Sequence, residues 1–266
     1  MRVATFNMEH GAAAAGSERH GEIPDATSLF DLAREIRALE IDVLCLQEVD
    51  QGQRRSGGLN QAEILSRELA MPHYRFAAFF QGWVNGFRFQ PLRSDAGGRM
   101  AFGIATLSRL PVASWHVNPM GGRVPRLNWR RDRSGWRPSE RLAVVDTTRT
   151  LLAAQVTAPE GRVVVANTHL VADEGVARAQ LHEVVRSLGT LPAPRVLAAD
   201  LNLEITHEGA VPGMRQLVIG DTFTNTRPRR QIDHVLATPD VRVRASGVES
   251  LGFSDHRLAW ADVALE

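Results

Sequence analysis

The chain has 266 residues, 44% of them hydrophobic and 23% charged, an ordinary balance for a globular protein with one large core. A formal net charge of +1 is too small to argue by itself for a nucleic-acid partner, and no run approaches the ~20 apolar residues that would span a bilayer. The single cysteine, Cys45, excludes an internal disulfide, and with no signal-like apolar region at the start the expected setting is the cytoplasm.

In chain order, "RVATFN" (2–7) reads as a first strand, followed by a small-residue loop at 11–17. Residues 27–40 read as a helix with Thr27 or Ser28 as N-cap, 41–49 as a strand, and 59–70 as a second helix after a Gly-Gly break. The aromatic stretch 76–90 begins like a strand and is expected to pack in the core. A strand at 102–108 is followed by a long aperiodic loop at 118–140, then strands at 141–148 and 162–170. Leu181, Val184, Val185 and Leu188 fall on one face of a helix over 173–189 that ends at Gly189, and strands at 195–200, 232–237 and 258–265 complete the chain. Several strands are apolar at consecutive positions, as strands covered on both faces are. Strands and helices interleave throughout, so residues 1–266 are expected to form one domain, with no obligate protein partner and a monomeric state.

The chemistry lies where the apolar runs stop. Asn7 and Glu9 follow "VATF", Gln47 and Glu48 follow "VLCL", Asn167 and His169 follow "VVVA", and Asp200 and Asn202 follow "VLAA". Asp233 and His234 precede "VLA", and Asp255 and His256 precede the last strand. One such pair is ordinarily a turn or cap. Six of them imply that strand ends in a layered α/β sandwich converge on one rim. Clustered carboxylate and amide oxygens suit a hard cation such as Mg²⁺ or Mn²⁺, whose charge would offset their mutual repulsion. The adjacent Ser254, Asp255 and His256 are not a serine-hydrolase triad, because successive strand residues point to opposite faces and no G-x-S-x-G elbow is present. Ser254 is expected to support a turn.

Seven segments in order, "ATFNMEHG", "LCLQEVD", "GIATLSRLPV", "ANTHL", "AADLNLE", "QIDHVLA" and "GFSDHRLAW", resemble the successive motifs of the endonuclease/exonuclease/phosphatase superfamily. The resemblance runs from residue 4 to residue 260 and implies the deoxyribonuclease I-like fold, a four-layer α-β-β-α sandwich with two central, mainly antiparallel sheets. It also implies a Mg²⁺-dependent phosphoesterase, with Mn²⁺ as a possible substitute. By resemblance, Glu48, Asn7, Glu9 and Asp255 belong to the metal side. Asp200 and Asn202 position water and contact phosphate, His256 is the catalytic histidine with Asp233 as its orienting partner, and His169 is a phosphate contact or general acid. Whether Asp200 or His256 is the base stays open.

This chain also departs from the family pattern. Tyr74 is the only tyrosine and falls in no motif, so the active-site tyrosine of the apurinic endonucleases has no counterpart. His234 stands where an aromatic residue is usual, and is expected to be packed or on the surface. None of the 31 basic residues is lysine, and six arginines (Arg123, Arg126, Arg130, Arg131, Arg133, Arg137) interleave with Trp129 and Trp136 in the expected loop. That loop, Arg130 and Arg131 included, could grip a polyanion and stack bases. A phosphodiester substrate, nucleic acid foremost, is therefore expected. Small-molecule or lipid phosphates of the inositol phosphate or sphingomyelin type are the alternative, and a non-catalytic binding module on the same fold is the remaining one.

Overall fold

The computed structural model describes residues 1–86, 88–89, 98–120, 126–132, 135–144, 149–207 and 209–265, and at 89, 126–132 and 135–144 the backbone alone. Its strands form two stacked sheets. The first runs β14 (Val241–Glu249), β15 (Leu258–Leu265), β1 (Arg2–Asn7), β2 (Val43–Gln51), β5 (Ala101–Ser108), β3 (His73–Gly82), β4 (Arg88–Phe89). The second runs β12 (Arg215–Gln216), β13 (Asp233–Ala237), β11 (Arg195–Asp200), β10 (Gly161–Asn167), β9 (Arg149–Ala158), β6 (Val112–Met120). Each sheet holds one parallel pair, β1 with β2 and β10 with β11, among otherwise antiparallel neighbours.

Alternation along the strands explains the layers. In β1 and β2, Val3, Val43 and Cys45 face the other sheet and pack with Val163, Val165, Val196 and Ala198. Their neighbours Ala4, Phe6, Leu44 and Leu46 face outward onto Leu29, Leu32 and Ile36 of α1 (Ala26–Arg37) and Leu65 of α2 (Gln61–Glu68). On the opposite side, Ala166, Leu197 and Ala199 meet Ala177, Val184 and Leu188 of α3 (Glu174–Gly189). This is the expected four-layer sandwich, and it explains why the central strands read as unbroken apolar runs. No described helix is long and apolar enough to cross a membrane.

Local chemistry moves several expected boundaries. The N-cap of α1 is Asp25, which accepts from the Ser28 amide in a capping box, rather than Thr27 or Ser28. Asn60 and Asp173 cap α2 and α3 by accepting from the Glu63 and Val176 amides. The expected loop at 118–140 is mostly strand: β6 runs to Met120, and β7 (Arg126–Asp132) pairs antiparallel with β8 (Gly135–Val144) as a separate ribbon. Arg123 and Arg133 of that stretch, residues 145–148 of the expected strand 141–148, and Phe87 and Gln90 of the aromatic stretch lie outside the described residues. Of the strand expected at 141–148, residues 141–144 close β8, and β9 (Arg149–Ala158) is a further strand that the sequence reading did not mark. β6 and β14 were hidden in the sequence because each is a sheet edge, half exposed and without an apolar run, and β6 carries Pro119, which edges tolerate.

Candidate active site

Sheet directions gather the polar pairs at one rim. β1, β2, β10 and β11 end there, and the antiparallel partners β15 and β13 begin there, with Asp200 opposite Asp233 in register. Asn7, from the first sheet, donates its Nδ2 to Asp200 Oδ2 in the second at 2.9 Å, and to Glu48 Oε1 at 3.4 Å. That amide bridges the two halves of the cluster as a donor.

Backbone strain marks the same place. Of the seven described non-glycine residues with positive φ, five stand at the cluster or beside it: Glu9 (42°), His10 (49°), Glu48 (54°), Asn202 (51°) and Ser254 (65°). Such conformations cost about 1–3 kcal/mol each and persist where the surroundings enforce them, commonly at functional sites. Glu48 sits in a register shift between Leu46 and Val49, a bulge that turns its side chain out of the ladder toward Asn7. Asn202 N–H donates to Asp200 Oδ1 at 2.9 Å, closing a tight turn after β11.

The second half is a buried chain of acid and imidazole. His256 Nδ1 donates to Asp233 Oδ2 at 2.9 Å, and its Nε2 lies 3.9 Å from Asp200 Oδ2. Burial pulls the His256 imidazole down, but the charges of Asp233, Asp200 and Asp255 and the Asp233 hydrogen bond outweigh it and push the group up to about 10. Asp200 is pushed up to about 7, first by burial and then by the Asp233 charge, against the pull of His256 and Asn7. His169 Nε2 stands 3.4 Å from Asp200 Oδ2 and 3.1 Å from Asn202 Nδ2. Burial, then Arg149 and His256, hold His169 well below its ordinary range, so it is neutral at neutral pH.

On the other half, Glu9, Glu48 and Asp255 crowd together. Asp255 N–H donates to Glu9 Oε2 at 3.1 Å. Burial and the charges of Asp255 and Glu48 raise the Glu9 carboxyl, and burial raises that of Glu48. A Glu9 carboxyl raised by burial and by its acid neighbours, in a cluster of oxygen donors with no thiolate, fits a hard divalent cation, and the structure supports that fit by the chemistry of the donors alone. Asp200, Asp233 and His256 also present ligand atoms within 4.8 Å of one another, a second place that could hold a metal. Protonation of His256 and its bond to Asp233 favour the carboxylates of the first group, because an imidazolium cannot ligate.

All nine motif residues thus meet at one rim. Gln47 and Asn167 do not join them: both are fully buried and bonded to each other at 2.8 Å, a strut between the sheets. His234 is also fully buried, on the far face of β13, with its Nε2 on the Leu203 carbonyl at 2.8 Å. The side chains of Arg130 and Arg131, on β7, lie outside what is described. Two supports, Asn225 and Phe223, went unread in the sequence, and a third, Ser254, was read only in part. Ser254 Oγ donates to the Asn7 carbonyl at 2.7 Å and accepts from His256 N–H at 3.0 Å, so it is a support as expected, but of two motifs at once. Asn225 Nδ2 donates to the carbonyls of Leu251, Phe253 and Ser254 and so fixes the turn before His256, while the Phe223 ring lies 5.0 Å from the His256 ring. Both come from a turn-rich stretch whose composition carries no signal beyond loop.

The sandwich and its rim of acids and imidazoles define a phosphoester hydrolase. The chain belongs to the endonuclease/exonuclease/phosphatase family, matched over residues 4–256, whose members hydrolyse phosphoesters. It is similar to the endonuclease/exonuclease/phosphatase of Beutenbergia cavernae DSM 12333, with TM-score 0.68 and 26% identity over 100% of this chain and 71% of that one. The endonuclease/exonuclease/phosphatase from Bacteroides vulgatus gives 0.66 at 17% identity over 100% and 98% of the two chains. The mannosyl-6-phosphatase of Bacteroides thetaiotaomicron VPI-5482 gives 0.65 at 15% over 100% of both, and at these identities the likeness is one of fold. No curated protein sequence matches.

Proposed function

We propose that residues 1–266 act as one catalytic domain that hydrolyses phosphodiesters with Mg²⁺, for which Mn²⁺ can substitute. The observation that carries this reading is the juxtaposition, through Asn7, of the crowded acids around Glu48 with the Asp200–His256–Asp233 chain. Glu48, Glu9 and Asp255 would hold the cation, which when bound neutralises phosphoryl oxygens and the departing oxygen. Asn7 acts here by tying Glu48 to Asp200, since its nitrogen, not its oxygen, faces both.

Asp200, with a carboxyl near 7, takes the proton of the attacking water, and Asn202 holds it in place through the bond to Oδ1. His256, pushed up to about 10, stays cationic, and Asp233 fixes its ring so that Nε2–H faces the substrate phosphate. The sequence left the base undecided; this electrostatic ordering favours Asp200. His169 is neutral and has no proton to spare, so the reading for it is phosphate contact rather than general acid. Nucleic acid is the leading substrate class, in a cytoplasmic, monomeric enzyme.

The test is hydrolysis of bis-p-nitrophenyl phosphate, supercoiled plasmid, single strands and inositol phosphates with Mg²⁺, with Mn²⁺ and with EDTA. Turnover with either cation and none in EDTA is expected. Activity that survives EDTA overturns the metal reading, and turnover of inositol phosphates alone replaces nucleic acid with the small-molecule class.

A further inference from the structure

One wall of the rim ends in an open aromatic ring. β3 finishes beside the last residue of β2, because Gln51 and Gln81 both pair with Ala101 at the start of β5. The aromatic stretch expected to pack in the core does so through Phe76, Phe79 and Phe80, but Trp83, where the chain leaves β3, is 47% exposed. Exposure alone means little, since Ile23 and Ile219 are more exposed and single apolar side chains on a surface are ordinary. Trp83 differs in how it is held and where it stands.

One buried side chain fixes the backbone on both sides of it. Gln53 Nε2 donates to the Gly82 carbonyl at 2.8 Å, and the Val84 N–H donates to Gln53 Oε1 at 3.2 Å. The same Nε2 reaches the Ala101 carbonyl at 3.2 Å, which ties β3 to β5. The Arg54 guanidinium lies over the indole, 4.6 Å from the ring centre, and orients the ring without burying it. The next residue, Arg55, is bound by Asp50 at 2.9 Å, and its charge bears on Glu48. The indole therefore stands on the Glu48 side of the rim.

A ring ordered in advance meets a flat partner at small entropic cost. Stacking rewards any π face and needs no hydrogen bonds, and a strand of nucleotides offers such a face at every link. The exposed neighbours of the indole, Arg54, Asn85 and Gly86, give a lipid surface no apolar patch to cover.

We propose that Trp83, with Arg54 behind it, stacks a nucleobase of the strand whose phosphodiester is cleaved. Trp83 is then a specificity-determining residue that favours polynucleotides over phosphoesters without a base. This rests on the phosphoesterase reading, which supplies the position of the reacting phosphate.

The affinity of the full chain in EDTA for labelled hexathymidylate and for the same sugar–phosphate hexamer without bases, measured by fluorescence anisotropy, tests the stack without turnover. The wild type is expected to bind hexathymidylate about tenfold more tightly. Trp83→Leu keeps an apolar side chain but has no π face. It should bring hexathymidylate down to the affinity of the abasic hexamer and leave the abasic hexamer unchanged. Trp83→Phe should keep part of the preference, and Arg54→Gln should weaken it. Equal wild-type affinity for the two hexamers, no binding of either, or a preference that survives Trp83→Leu overturns the proposal. So does Trp83-dependent binding to phosphatidylcholine–phosphatidylserine vesicles in place of the oligomer, which assigns the indole to a lipid surface. Absence of hydrolysis across the substrate panel would instead sink the phosphoesterase reading and leave these affinities standing.

Discussion

The two halves of the site use the same residue types to opposite effect. In the Asp233–His256–Asp200 half, imidazole and carboxylates face one another in a buried chain, with the Asp200 carboxyl pushed up to about 7 and the His256 imidazole up to about 10. In the Glu9–Glu48–Asp255 half, carboxylates face carboxylates on strained backbone, closer to solvent, with an amide between them and the first half. On the proposed mechanism, environment rather than residue type divides proton handling from cation holding.

The sharpest way to break this division is to remove a member of the proton-handling half. Asp200→Asn and His256→Ala should each lower kcat by about 10²–10⁴-fold. The Asp200 carboxyl is raised in the fold, so its ionised form opposes folding: stability is full below the ordinary pKa of 3.8 and is lost as pH rises through about 7. Asp200→Asn should therefore melt at the same temperature as the wild type or higher at pH 8, a pairing of lost rate with kept stability that calorimetry can check. A lower melting point would contradict the account of Asp200.

The pH–rate profile probes the same half less drastically. With Asp200 required as carboxylate and His256 as imidazolium, kcat should fall on the acid side of about 7 and on the alkaline side of about 10. Each limb has a slope of about tenfold per pH unit, and a bound cation moves the acid limb lower. A profile whose acid limb survives in Asp200→Asn assigns that limb to another group.

Glu48→Gln addresses the other half. It should raise the Mg²⁺ concentration for half-maximal rate by about 10–100-fold, whereas His256→Ala should shift that concentration far less. Equal shifts in the two variants would mean that the division is not real.

The smallest expected effect lies behind the site, at His234. Its imidazole is pulled down by burial, so the unfolded chain binds a proton near the ordinary value of 6.5 that the fold refuses. Its contribution is full above 6.5 and is lost as pH falls. His234→Phe should cost about 1–3 kcal/mol at pH 8 by leaving the Leu203 carbonyl unpaired, and should reduce the further loss between pH 8 and pH 5. Denaturant melts at both values measure it.

How far this was legible in the sequence depended on what each residue answers to. Strand ends with Asn, Asp, Glu or His pairs were readable because an apolar run that stops at a polar pair is a local signal, and Asp233 was paired with His256 across more than twenty positions by motif resemblance. Gln47 and Asn167 read the same way yet became an inter-sheet strut, because strand alternation alone does not say which sheet face meets another. The bulge at Glu48, the role of Asn225 and the stacking of Arg54 on Trp83 depend on contacts between distant segments, for which no local pattern exists. The hairpin β7–β8 was missed for a simpler reason: prolines and arginines dilute the period-two pattern that would have marked it.

The Ser254 hydroxyl joins positions 247 residues apart, the carbonyl of Asn7 and the turn that carries His256. β1 pairs with β15 as well as with β2, so β1 lacks one of its two neighbours until β15 has formed. A nascent chain short of His256 lacks both the imidazole and this clasp, however well its middle has folded. Assembly of the rim thus requires the segment around Ser254 and His256 to have closed onto the end of β1.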